Sequence, residues 1–257
     1  MAVVTLDLWH TLVYLPPEDE ETYMVHQIAL GTEVLRAAPR RPGAREHTVE
    51  ELAHAFEEEY NRAVVESAEG RTVTPADQIS RAGDRTGRRV DPKEYLERLK
   101  SEVEHTPFRR APGALTLLKE LRSQGYRLGM VSNTIGEPGA FLRPILAQMG
   151  FERFVDRFVF SDELPWAKPA PEIFRYALEQ LGGRPEQAVH VGDGWADLEG
   201  ARRAGFRGTV LFTGLHSYGD RYRKLFRPGA GDSTPANYRT DRLREVAPLV
   251  RKLLPPG

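Results

Sequence analysis

The sequence predicts an α/β fold: a doubly wound, parallel-sheet, Rossmann-like core carrying a second, smaller all-helical cap domain. Three apolar runs predict the sheet, namely VVTL before Asp7, RLGMV before Ser132 and AVHV before Gly192, each with the length and β-branched content of a buried strand. Helical patterns fall between them, and strands alternating with helices of this length make βαβ units. The segment from about Tyr14 to Thr106 breaks the alternation and predicts the smaller domain.

The elements follow in chain order. VVTL is the first strand, and after it come amphipathic or charged helices over Glu18–Ala37, Thr48–Ser67, Pro75–Arg85 and Asp91–Glu104, separated by turns such as PRRPG. Gly113–Gln124 is the next helix, with Gly125 as its stop, before the strand RLGMV. Further helices are expected over Pro138–Met149, Pro171–Leu181 and Trp195–Ala204. Two weaker strands, RFVF before Ser161 and GTVLF around Val210, complete the sheet. A long basic and Gly/Pro-rich loop, His216–Asn237, precedes a last helix over about Asp241–Leu254. The core is thus expected over residues 1–13 and 108–257, the helical domain over 14–107.

Composition narrows the function. At 257 residues the chain can bury a sizeable core, and its formal net charge of -1 calls for neither nucleic acid nor an anionic membrane as partner. With no cysteine, disulfides, thiolate metal sites and a cysteine nucleophile are closed off. The first residues carry no basic region, and Val3–Leu6 is too short for a signal peptide or a span, so a cytoplasmic protein acting on a small molecule is expected.

Ligands of open parallel sheets bind beyond the carboxyl ends of the strands. The residues at those ends are Asp7, Ser132 with Asn133, and Asp193. Singly, each reads as a strand terminator or helix cap; together they converge on one edge of one sheet. The ordered motifs DLWHTL from Asp7, VSN from Val131, KPAPEIF from Lys168 and VGDGWADLEGA from Val191 resemble those of the haloacid dehalogenase-like hydrolase superfamily.

The resemblance implies a mechanism. Asp7 would attack the substrate and form a covalent aspartyl intermediate, as suits an ionised carboxylate at a strand end. Ser132 would hydrogen-bond a transferring phosphoryl oxygen, Asn133 would shape its loop, and Thr11 would donate to the phosphoryl group or to Asp7. Lys168, at a helix start that the helix dipole makes unfavourable for a cation, would balance the nucleophile and the bound anion. Asp7, the backbone oxygen of Trp9, Asp193 and Asp197 would surround Mg²⁺, with Asp193 a direct ligand and Asp197 in the shell around it.

Position 9 departs from the family's phosphatase pattern. There the family usually carries a second aspartate that protonates the leaving oxygen and then activates water, and indole does neither. Positioned acid–base catalysis is worth ~10²–10⁴-fold, so a phosphatase built this way would be slow on poor leaving groups unless His10 supplied the proton. Family dehalogenases carry an aromatic residue at this position, which keeps metal-independent 2-haloacid dehalogenation open; a weakly catalytic ligand- or partner-binding protein is the third reading. Trp195, Trp166 and Tyr14 are candidates to line the pocket. Arg36, Arg40 and Arg41, and the loop cations Arg221, Arg223 and Lys224, are placed near it only by location.

Overall fold

The computed structural model describes residues 1–215 and 236–255. The loop cations Arg221, Arg223 and Lys224 lie outside the described residues. Six strands form one parallel sheet: β1 (Val3–Leu6), β4 (Arg127–Ser132), β5 (Arg157–Phe160), β6 (Ala188–Gly192), β7 (Gly208–Phe212) and β8 (Tyr238–Thr240), in the spatial order β5-β4-β1-β6-β7-β8. The chain starts in the middle and is wound outward to both sides. β1 is therefore hydrogen-bonded on both edges, with Leu6 in register with Met130 on one side and Val191 on the other. The ends of β1, β4 and β6 are thereby brought side by side, and these are the ends that carry polar residues.

Side chains alternate along a strand, and β1 divides its residues accordingly. Val4 and Leu6 join the larger core cluster, with α5 (Ala114–Ser123), α6 (Gly139–Gln148) and α9 (Leu243–Leu253), while Val3 joins the smaller cluster against α7 (Pro171–Leu181). α8 (Trp195–Arg203) completes the second layer through Ala201. Every residue of β1 is fully enclosed, and each such aliphatic side chain contributes roughly 1.5–3 kcal/mol of burial.

Four helices fill the stretch between β1 and β4: α1 (Pro17–Ala37), α2 (Val49–Ala68), α3 (Pro75–Arg85) and α4 (Pro92–His105). Their starts are written locally. Thr48 with Glu51 and Thr74 with Asp77 form reciprocal capping boxes, and Asp91 caps α4 ahead of Pro92. The helices leave and rejoin the sheet through a two-residue ribbon, β2 (Val13–Tyr14) paired antiparallel with β3 (Arg109–Arg110).

The turn from α2 into α3 is also fastened to the sheet side: Asn133 Nδ2 donates to Ser67 Oγ (2.9 Å), Thr72 Oγ1 to the Ser161 carbonyl (2.9 Å), and Gln78 Nε2 to the Ile135 carbonyl (2.7 Å). Two elements were not anticipated. The β2–β3 ribbon is too short to leave a periodic signal, and β8 follows a run so rich in Gly, Pro and Ser that the whole segment reads as loop.

Candidate active site

A cavity of about 180 Å³ lies between the carboxyl edge of the sheet and the helices of the insertion. Its floor is Asp7, Lys168, Asp193 and Asp197; Trp9, Phe108 and Trp195 stand at its sides, and Tyr23, Met24, Tyr60 and Val64 come from α1 and α2.

Lys168 is the electrostatic centre. It is almost fully buried, and an ammonium has three hydrogens to place. They go to Asp7 Oδ1, to Asp197 Oδ1 at 2.6 Å and to the Val131 carbonyl at 3.1 Å. Burial works against its charge, but the two carboxylates outweigh burial and its pKa lies above the ordinary lysine value. Its backbone is fixed as well, because Asn133 Oδ1 accepts from Lys168 N (2.7 Å) and Asn133 Nδ2 donates to the Lys168 carbonyl (2.9 Å).

Asp197 is held on all sides. Its Oδ1 takes Lys168 and faces His190 Nε2 at 3.3 Å, and its Oδ2 accepts from Gly194 N at 3.1 Å. Burial would raise this carboxyl, yet Lys168 and His190 bring it down to about 2. Gly192 makes room for it, since a Cβ there would lie 2.5 Å from Asp197 Cγ.

His190 sits within β6 directly across from Thr5, and its Nδ1 lies 2.8 Å from Thr5 Oγ1. Burial lowers the ring's pKa, and a neutral ring facing a carboxylate carries its proton on Nε2, which leaves Nδ1 to accept from Thr5.

Asp7 ends β1 under different conditions. Burial, followed by the charge of Asp197, pushes its carboxyl up to about 7, and Lys168 only partly offsets them. Thr11 Oγ1 donates to Asp7 Oδ2 at 3.4 Å. Asp7, Asp193 and Asp197 each present an oxygen within 4.8 Å of the others. Three carboxylates against one ammonium leave two formal negative charges, and the donors are all hard oxygens, so the set fits a divalent cation of the Mg²⁺ type.

The other residues expected at the site are placed as follows. Asn133 lines the cavity, whereas Ser132 is fully enclosed, donates to the Asn133 carbonyl at 3.3 Å and is not part of the lining. Trp195 lines the cavity, but Trp166 and Tyr14 do not: Trp166 bridges to Arg71, and Tyr14 is taken up in β2. Arg36, Arg40 and Arg41 also lie outside it, and Arg41 pairs with Asp84. His10 borders the cavity in a left-handed conformation (φ 56°), with Nε2 3.7 Å from Glu20 Oε1; burial pushes its ring down to about 4.

The sequence motifs do not include His190, Thr5, Glu137 or Tyr23. A lone histidine inside the otherwise apolar AVHV was the available signal for the first. Nothing local distinguishes the other three.

Fold and floor together define a hydrolytic α/β core, with a carboxylate nucleophile candidate at the first strand end and a buried lysine beside it. The chain belongs to the haloacid dehalogenase-like hydrolase family, whose model matches residues 1–205. It is similar to a glyceraldehyde 3-phosphate phosphatase of Methanopyrus kandleri, 33% identical over 143 residues that cover 55% of this chain and 57% of the relative. Similarity to a phosphoglycolate phosphatase of Nitrosococcus oceani is 34% over 122 residues, 48% and 51% of the two chains. The chain thus spans about half the length of these curated relatives. Among solved structures, a phosphatase of the same family from Thermococcus onnurineus superposes with a TM-score of 0.62 over 100% of this chain and 99% of that one at 23% identity, a likeness of fold.

Proposed function

We propose that the protein is a Mg²⁺-dependent phosphatase of small phosphorylated metabolites, working through an aspartyl phosphate on Asp7. The observation that carries this reading is the floor: a buried lysine shared between two carboxylates, with a third within reach, beneath a cavity of small-molecule size. The phosphatase names of the relatives support it.

Asp7 attacks phosphorus, the ester oxygen departs, and water then releases phosphate from the Asp7 acyl phosphate. Lys168 holds Asp7 in place and favours its ionised form against burial, while Asp197, fixed by His190 and Gly194, fixes Lys168 in turn. Thr11 donates to Asp7, and Ser132 and Asn133 shape the loop next to the transferring group. Asp7, Asp193 and the Trp9 backbone oxygen would hold Mg²⁺, with Asp197 beside it; the bound cation supplies charge neutralisation of the phosphoryl oxygens. The helices over 14–107 act as the cap that selects the substrate and excludes water.

Trp9 has no proton to give, and His10 is kept neutral by burial. The enzyme therefore favours leaving groups that depart as stable anions, such as acyl and aryl phosphates. The same aromatic residue motivates a second reading, 2-haloacid dehalogenation, in which halide leaves unprotonated.

One panel separates the two: acyl, aryl and alkyl phosphates and 2-haloacids, with Mg²⁺ and with chelator, on wild type and Asp7→Asn. Phosphate release lost on chelation and in Asp7→Asn is the expected result. Halide release that survives chelation would move the assignment to dehalogenase. Undiminished phosphate release by folded Asp7→Asn would remove the mechanism.

A further inference from the structure

A second part of the cavity wall has its own chemistry. Glu137, on the loop between β4 and α6, presents a carboxylate to the cavity, and burial pushes it up to about 7. Tyr23 of α1 reaches the same place. It is 7% exposed, and its hydroxyl is turned to the Glu137 carboxylate in a contact that acts on both groups but falls short of well-formed hydrogen-bond geometry. Buried hydroxyls in native proteins are normally paired, so a hydroxyl and a carboxylate that engage each other only loosely at a cavity wall leave capacity for a partner that enters from solution.

Trp9, Phe108 and Tyr23 form a continuous aromatic strip toward this pair, with ring centroids 5.1 Å apart between Trp9 and Phe108 and 5.9 Å between Tyr23 and Phe108. Among the described residues, Lys168 is the one lysine or arginine lining the cavity, and its donors are committed to the floor.

We propose that Glu137 and Tyr23 form a leaving-group subsite for a phosphate ester whose organic part ends in a hydroxyl or ammonium donor, and that this subsite rejects esters carrying a second anion. It rests on the phosphatase reading: the phosphoryl group sits over Asp7, the carbon body lies along the Trp9–Phe108 strip, and the terminal donor meets the Glu137 carboxylate. A second carboxylate in that place would face Glu137 with like charge, which is a strong basis for rejection.

The test compares kcat/KM for three esters of similar size, phosphoethanolamine, glycerol phosphate and phosphoglycolate, with acetyl phosphate as a reference too short to reach the wall. Wild type is expected to prefer either donor-bearing ester over phosphoglycolate by about 10²-fold. Glu137→Gln keeps the volume and removes the charge; it should narrow the phosphoethanolamine-to-phosphoglycolate ratio at least about tenfold. Tyr23→Phe should raise KM for glycerol phosphate more than it lowers kcat. Turnover of acetyl phosphate together with a preference for phosphoglycolate, or a ratio that Glu137→Gln leaves unmoved, overturns the subsite while the phosphatase reading stands. Turnover of acetyl phosphate with none on any of the three esters likewise overturns the subsite, and absence of turnover on all four overturns both.

Discussion

The floor and the helix-side wall of the cavity are built on opposite terms. On the floor, Asp7, Lys168 and Asp197 are buried and mutually satisfied; each has a fixed partner, Asp7 following β1, Lys168 preceding α7 and Asp197 in the first turn of α8. On the wall, Glu137 and Tyr23 come from a loop and a helix, engage each other only loosely and line the cavity. A network closed upon itself can orient a reacting carboxylate without substrate, as transition-state electrostatics requires. A pair left open is completed by whatever binds. On the proposed reading, chemistry belongs to the closed network and selectivity to the open pair, and each can be disturbed separately.

The largest disturbance is expected from Lys168→Met, which leaves Asp7 and Asp197 buried with like charge. Breaking a buried pair by removing one partner costs about 3–5 kcal/mol, and turnover should fall by ~10³-fold or more. Thermal unfolding and acetyl phosphate kinetics measure the two losses, and Lys168→Arg tests whether charge without the right reach restores either. A Lys168→Met protein with unchanged melting temperature and turnover would show that the floor is not a closed network.

Trp9→Asp works at the border of the two regions by supplying the carboxyl that indole withholds. It should raise alkyl phosphate turnover relative to aryl phosphate by up to ~10²–10⁴-fold, read as a flatter dependence of rate on leaving-group pKa. An unchanged slope would mean that proton transfer is already supplied from elsewhere.

Glu137→Gln sharpens the contrast through stability. The Glu137 carboxyl is raised in the folded protein, so its contribution is fully present below the unfolded value near 4.5 and is lost as pH rises through about 7. The substitution should accordingly stabilise the protein more at pH 8 than at pH 5, by about 1–2 kcal/mol for a part-buried group, read as a larger rise in melting temperature at the higher pH. Equal effects at both pH values would contradict the burial of that carboxylate.

The smallest effect belongs to Arg41→Ala. Arg41 pairs with Asp84 away from the cavity, both residues well exposed, and such pairs contribute about 0–1 kcal/mol. Turnover should be unaltered, which a single kcat/KM determination checks.

Legibility in the sequence followed the same division. Strand ends are easy to find because a buried parallel strand is an unbroken apolar run, and the polar residue that ends it is conspicuous; Asp7 and Asp193 are legible this way and line the cavity, whereas Ser132, equally legible, is enclosed beside it. Lys168 stood out because it precedes a helix start, where a cation needs a reason.

Glu137 gave no such signal, since a glutamate before a proline reads as an exposed turn. Tyr23 lies in a helix whose sequence PEDEETYMVHQIALGTEVLRA mixes charge and apolar residues without a clean face. Its orientation is set by the β2–β3 ribbon and by the bonds from Asn133, Ser161 and Ile135 to the α2–α3 region, contacts far apart in the chain. His190 was hidden for a further reason: it occupies a core position that an apolar residue would fill equally well for folding.

The claim on which all this depends is that Asp7 itself carries the phosphoryl group. Acid quenching during turnover of acetyl phosphate, followed by borohydride reduction and peptide mass spectrometry, reads it directly, because an acyl phosphate on aspartate is reduced to homoserine while a free carboxylate is not. Homoserine at position 7, dependent on Mg²⁺, is the expected result. Steady hydrolysis with aspartate intact at position 7 would contradict it.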